Sequence, residues 1–189
     1  MRWERLFADL EARFAAEQDA AERGETSSRV RYEVGALRLA DRLRGALGTP
    51  VGLLCRGAGQ VSGTLREVGG DWLLLTDEQG RDCLVALAAV RAVSGLGRRT
   101  APADDAGAVR GRLDLRRALR GLARDRAAVQ VLLDDGTALT GTFDRVGADY
   151  AELAEHPADL PRRAEAVGSV RAVVIDAVAV VRTALPGPG

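Results

Sequence analysis

The sequence predicts an α+β protein: an N-terminal helical hairpin, then two small, strongly bent five-stranded β-barrels, each preceded by a helix. Three observations carry this expectation. The stretch Val51–Val93 is echoed from Val129 to Val181, with Gly63, Val68, Gly69, Asp71 and Trp72 meeting Gly141, Val146, Gly147, Asp149 and Tyr150 at a constant spacing of 78 residues. Both copies alternate short apolar runs with glycine-bearing turns, the pattern of closely spaced strands. Ahead of the first copy, apolar residues recur at helical spacing instead.

Taken in order, the first helix is predicted over Arg2–Glu22, where Trp3, Phe7, Leu10 and Phe14 draw one apolar stripe. Gly24 interrupts it, and Thr26, Ser27 and Ser28 offer N-cap oxygens to a second helix over about Arg29–Ala46. The pair reads as an antiparallel hairpin or as a short coiled-coil contact with another subunit. Gly48 and Pro50 end it. Five strands follow, at Val51–Arg56, Gln60–Arg66, Trp72–Asp77, Arg81–Leu87 and Val90–Val93. Gly69 and Gly70 suit a tight hairpin, and Gly63 in mid-strand suggests a sharp bend where a small sheet curls closed.

Leu113, Leu115, Leu119, Arg120 and Gly121 repeat Leu37, Leu39, Leu43, Arg44 and Gly45 at a spacing of 76, so the duplicated unit is a helix plus a sheet. At the last strands the register widens to 88, where Leu87, Val90 and Val93 meet Ile175, Val178 and Val181. An insertion around His156–Ala166 accounts for the change. The expected organisation is 1–47 helical hairpin, 48–96 first barrel, 97–112 linker, 113–184 helix plus second barrel, and 185–189 a disordered tail.

Composition narrows the function. All 27 basic residues are arginine, and the chain has no lysine and no asparagine. Lysine-dependent phosphate loops and Schiff-base chemistry are thereby excluded. The glycines of VGLLCRGAGQVSG lead into a strand pattern, whereas phosphate cradling needs a helix N-terminus there. The single histidine, His156, lies beside Pro157 and reads as a solvated loop residue without a nucleophile. No cluster of metal ligands is visible, and Cys55 and Cys83 read as small core residues of a reduced compartment. No catalytic, cofactor or metal site is expected. No apolar run approaches the roughly 20 residues that span a bilayer, and the charged N-terminus is not that of a signal peptide. The expected location is cytoplasmic, with no membrane partner.

Charge is balanced overall, with 27 acids against 27 arginines, but residues 100–128 carry 7 arginines against 4 acids and residues 129–189 carry 5 against 9. The connector is therefore the candidate binding segment. Arg112, Arg116 and Arg120 form a row at i, i+4 and i+8, joined by Arg117 and Arg124, with Arg98 and Arg99 upstream. Such a row can grip phosphates, or it can be a solvated face, or dock on the acidic second copy near Asp134 and Asp135. Asp71 and Asp149 suit hairpin capping through bonds to turn N–H groups. Trp72 and Tyr150 can stack bases or cap the core beneath them.

The leading helix, the glycine at the bend of strand two, the V-G-x-D turn and the closing V-A-L-A-A-V or V-I-D-A-V resemble the Sm-like superfamily of small β-barrels. The layout is also similar to the C-terminal barrel of ribosome-maturation factors, and the lysine-free style resembles actinobacterial proteins, some described as transcriptional regulators. The resemblance implies a non-enzymatic module that binds RNA or acts in a nucleic-acid-associated complex. The uracil-contacting Asn of that family has no counterpart here. The alternative is a protein–protein scaffold or homo-oligomer assembled through edge strands and the N-terminal helices.

Overall fold

A computed structural model describes residue 35 and residues 37–101, 113–157 and 168–183. The chain divides between Leu39 and Ala40 into two units, and every strand belongs to the second. The described elements are α1 (Leu39–Arg44), β1 (Pro50–Cys55), β2 (Gly59–Val68), β3 (Trp72–Thr76), β4 (Asp82–Ala86), β5 (Val90–Ser94), α2 (Leu115–Asp125), β6 (Ala128–Leu133), β7 (Ala138–Val146), β8 (Tyr150–Glu155), β9 (Ser169–Val174) and β10 (Val178–Thr183). Single 3-10 turns, Leu87–Ala89 and Ile175–Ala177, lead into β5 and β10.

The expected pair of separate five-stranded barrels does not form. All ten strands belong to one open antiparallel sheet in the order β5-β1-β2-β3-β4-β10-β6-β7-β8-β9. The reason lies in β10. It pairs with β6 of its own half and, on its other side, with β4 of the first half, matching Val180 to Val85, Val181 to Leu84 and Arg182 to Cys83. Both sides of β10 are thus hydrogen-bonded, and the two ladders run into each other. One buried cluster accordingly passes through both halves, from Leu43, Leu53 and Leu75 to Val131, Phe143 and Val180.

The predicted helical hairpin is corrected as well. Arg2–Glu22 lies outside the described residues, and of the second predicted helix the structure describes Leu39–Arg44. Most of the predicted linker, from residue 102 to 112, and the tail also lie outside the described residues.

Within each half the same local geometry recurs at the spacings read from the sequence. A Cβ on Gly63 would lie 2.6 Å from the Thr76 carbonyl oxygen, and one on Gly141 would run into that of Ala154. Only glycine lets the backbones approach so closely. The β2–β3 ladder slips at Arg66 and the β7–β8 ladder at Asp144, each a bulge that sharpens the bend of its strand. The Gly69 N–H donates to the Trp72 carbonyl and the Gly147 N–H to the Tyr150 carbonyl, both at 2.8 Å. Leu87 and Ile175 donate to the Asp71 and Asp149 carbonyls, again at 2.8 Å.

Helix α2 is set by its own ends. The Asp114 carboxylate accepts the Arg117 N–H at 2.9 Å as N-cap, and the chain leaves through Arg126 in the left-handed region, φ 51°. Leu115 and Leu119 are buried, and the helix packs on β7. Burial works to raise the Asp114 carboxyl, but the Arg117 N–H and the Arg116 guanidinium outweigh it and hold the group below the ordinary carboxylate value of 3.8. A carboxyl depressed on folding adds stability above its unfolded pKa and loses it as pH falls through the folded value. Melting temperature is therefore expected to drop below about pH 4. Asp114→Asn should flatten part of that acid limb in circular-dichroism melts; an unchanged limb would remove Asp114 from the account.

Candidate functional site

Of the residues singled out in the sequence, Asp71 and Trp72 lie at the junction between the halves, and Asp149 and Tyr150 at the matching surface of the second half. At the junction, Asp71 does not cap its own hairpin. Its Oδ1 accepts the backbone N–H of Leu115 at 2.7 Å, the first residue of α2 and 44 positions away. A carboxylate is favourable there because the first turn of a helix leaves its N–H groups unpaired and carries partial positive charge. Trp72 is 5% exposed and donates Nε1–H to the Leu113 carbonyl at 2.8 Å, while the Gly70 N–H reaches the same oxygen at 3.2 Å. The V-G-x-D-W turn of the first half thus receives the N-terminus of the helix that opens the second.

A cleft of about 220 Å³ remains beside this joint, lined by Trp72, Leu74, Leu84, Ala118, Leu122 and Val181 among others. A second joint lies at the hairpin ends. Gly57, at φ +72°, carries its backbone so close to Leu133 and Asp134 that a Cβ would meet the Leu133 carbonyl oxygen. Beside it Arg56 pairs with Asp134 at 2.5 Å.

In the second half the equivalent turn receives no helix N-terminus among the described residues; the Arg116 guanidinium reaches its Ala148 carbonyl at 3.5 Å. Tyr150 is 40% exposed, and the Asp149 carboxylate accepts no bond from another described residue. Among the described residues β5 and β9, at the two ends of the sheet, have one strand neighbour each. On β9, Val170 and Val174 are 58% and 56% exposed. Their counterparts 88 positions earlier are Asp82 and Ala86, and Ala86 is buried. Along β9 only Val173 is buried, whereas Cys83, Leu84, Val85 and Ala86 of β4 all are, and β10 pairs with the first three of these.

The arginine row divides. Arg112 lies outside the described residues. Arg116 is half-buried and paired with Asp114 at 3.1 Å, with Nη1 3.5 Å from the Ala148 carbonyl oxygen. Arg117, Arg120 and Arg124 are exposed on α2 and make no ion pair with another described residue. Arg98 and Arg99 are exposed beyond β5. The helix does not dock on Asp134 and Asp135. The first pairs with Arg56, and the second accepts the Thr137 N–H at 2.8 Å in its own turn.

His156 is a further correction. It is 5% exposed, with Nε2 2.8 Å from the Thr142 hydroxyl and Nδ1 2.8 Å from the Pro157 carbonyl oxygen. Both ring nitrogens are engaged, which satisfies a buried polar ring. Cys55 and Cys83 are buried free thiols whose pKa values burial raises. Among the described residues no group of three or more His, Cys, Asp or Glu is placed to hold a metal ion, and no helix is long and apolar enough to cross a membrane.

Comparison with known proteins finds no family model, no curated protein and no solved structure that matches this chain. Its own geometry therefore carries the functional reading. Sequence reasoning missed Leu113, Arg56, Val170 and Val174. The signal for the last two was present: Val170, Ala172, Val173 and Val174 are apolar at both strand parities, the mark of a strand meant to be covered on both faces.

Proposed function

We propose that the chain is a non-enzymatic assembly module, built from a duplicated helix-plus-sheet unit, that engages proteins through the open edges of its ten-stranded sheet. The observation that carries this reading is β9. Among the described residues it has no strand neighbour on one side, and its Val170 and Val174 are exposed; an apolar edge strand of this kind is a template for pairing with another chain. Net charge near zero and an acidic second half are consistent with it.

A second reading, binding of RNA or other nucleic acid, is favoured by one observation: the exposed Arg117, Arg120 and Arg124 along α2. Phosphate binding by such a row weakens steeply with salt, because each neutralised phosphate releases counterions. Purification without nuclease separates the two. The assembly reading expects a protein-like 260/280 absorbance ratio and no shift of labelled RNA at low salt. A high ratio that falls on salt washing, together with RNA binding abolished by Arg117→Glu, Arg120→Glu and Arg124→Glu, would replace it with the nucleic-acid reading.

A further inference from the structure

We infer that the first half carries a pocket for a small monocarboxylate, anchored on the Arg182 guanidinium and independent of the sheet edges. Of the arginines on strands, Arg66, Arg91, Arg145 and Arg171 are exposed, whereas Arg182, on β10, is half-buried. It lies within the sheet between Cys83 of β4 and Gln130 of β6, neither of them charged. Its guanidinium has the Cys83 thiol beside it, a weak acceptor, and no ion pair with another described residue. Arg145 and Arg171, by contrast, pair with Glu152 and Glu155 of the neighbouring strand. A cation drawn partly out of water with no carboxylate to answer it is costly.

Arg182 lines a cavity of about 290 Å³. Val61 and Cys83 are its buried part, while Gln60, Ser62, Glu78 and Gln79 are its exposed rim. The Gln60 amide and the Ser62 hydroxyl bond no other described residue and can donate to an oxyanion. Asp77 does not oppose one. Its Oδ1 accepts the N–H groups of Gln79 and Arg81 at 2.9 Å, and its Oδ2 accepts Arg81 Nε at 2.7 Å. Among the described lining residues this leaves one unmatched cation, Arg182, and one unmatched anion, Glu78. The guanidinium fork meets a carboxylate with two parallel bonds. Val61 and Cys83 offer the ligand's carbon body an apolar wall, and Glu78 disfavours an anion of more than one charge.

The second half closes the matching end from within. Cys83 corresponds to Arg171, 88 positions on, and Asp77 to Glu155, 78 positions on; these two pair at 2.7 Å. Glu78 corresponds to the buried His156, whose ring bonds Thr142 and Pro157. The counterpart of Arg182 is Ser94. One half thus answers its cation with its own carboxylate, and the other leaves its cation facing a cavity.

The test titrates the full chain by calorimetry, at fixed ionic strength above neutral pH, with sodium benzoate, benzamide and inorganic phosphate. Benzoate sets a carboxylate on an apolar ring, benzamide keeps the shape without the charge, and phosphate is there mostly a dianion. The expected result is saturable benzoate binding, tighter than that of either other probe. Arg182→Gln should weaken benzoate by about tenfold to a hundredfold, the loss that goes with hydrogen bonds to a charged group. It should melt no lower than the unaltered chain, since the charge it removes has no partner to strand. Glu78→Gln, at an exposed position, should tighten both anions and phosphate the more. A chain that ignores benzoate, takes benzamide equally well or prefers phosphate would overturn the proposal, as would an Arg182→Gln variant with undiminished benzoate affinity. Should Arg182→Gln fail to fold, Glu78→Gln decides alone: an unchanged benzoate-to-phosphate preference removes the pocket from the account.

Discussion

Trp72→Ala is expected to lower stability by about 3–5 kcal/mol, whereas Tyr150→Ala, at the matching position of the second half, should cost under about 1 kcal/mol. The two residues close the same turn in the same way, each with its carbonyl accepting the glycine N–H three positions earlier at 2.8 Å. They differ in what lies over them. Trp72 is covered by α2, bonded to the Leu113 carbonyl, and set against the cleft that Ala118 and Leu122 line. Its removal leaves a cavity where the halves meet and takes a donor from a carbonyl at the helix start. Tyr150 stands 40% in solvent, so truncation there opens no cavity. Urea titration of both variants checks this, with the midpoint falling and the slope unchanged if unfolding remains a single transition. Equal losses at the two sites would mean that the covering of Trp72 contributes nothing. Trp72→Phe keeps most of the ring and should lose about 1 kcal/mol, the net worth of one hydrogen bond.

The same asymmetry explains what was legible in the sequence. Strand positions were, because each strand is a short apolar run between turn residues; the observed bounds of β1–β5 fall within two residues of those expected. A special use for Gly63 was legible too, read as a sharp bend, since a glycine within a strand has few other uses; its close approach to the Thr76 carbonyl was not. What could not be read was which strands share an edge. β10 reads V-A-V-V-R-T, apolar on both faces, which says that both faces are covered but not by what. Two closed barrels and one continuous sheet make the same demand on those residues, and only the β4 pairing decides between them. The roles of Asp71 and Trp72 were hidden for a related reason. Their partners, Leu115 and Leu113, lie more than 40 positions away, whereas turn chemistry is read over four. His156 misled because an insertion beside a proline looks solvated, and nothing in the local sequence points to the Thr142 hydroxyl that pairs with it.

Gly141→Ala should cost about 3 kcal/mol, the upper end of what one added methyl does in a packed interior, and Gly63→Ala somewhat less. Neither glycine has a positive φ, so conformational freedom is not at stake, and the effect comes entirely from distance. The new Cβ at residue 141 would run into the Ala154 carbonyl oxygen, and that at residue 63 would stand 2.6 Å from the Thr76 oxygen. Both oxygens belong to backbone paired in the neighbouring ladder, which cannot rotate away as a side chain would. The strands must separate beyond their usual 4.7–4.9 Å, and the loss then spreads along the β7–β8 register, where Gly141 faces Glu155. Gly121 provides the opposite case. It lies within α2, and a Cβ there would meet nothing within 4 Å. The same glycine-to-alanine change should stabilise by about 0.5–1 kcal/mol through backbone entropy. Chemical denaturation of the three variants side by side therefore tests sign as well as size: a destabilised Gly121→Ala would show that backbone entropy does not decide the outcome in α2, and a neutral Gly141→Ala that these interstrand distances do not govern how tightly the sheet bends.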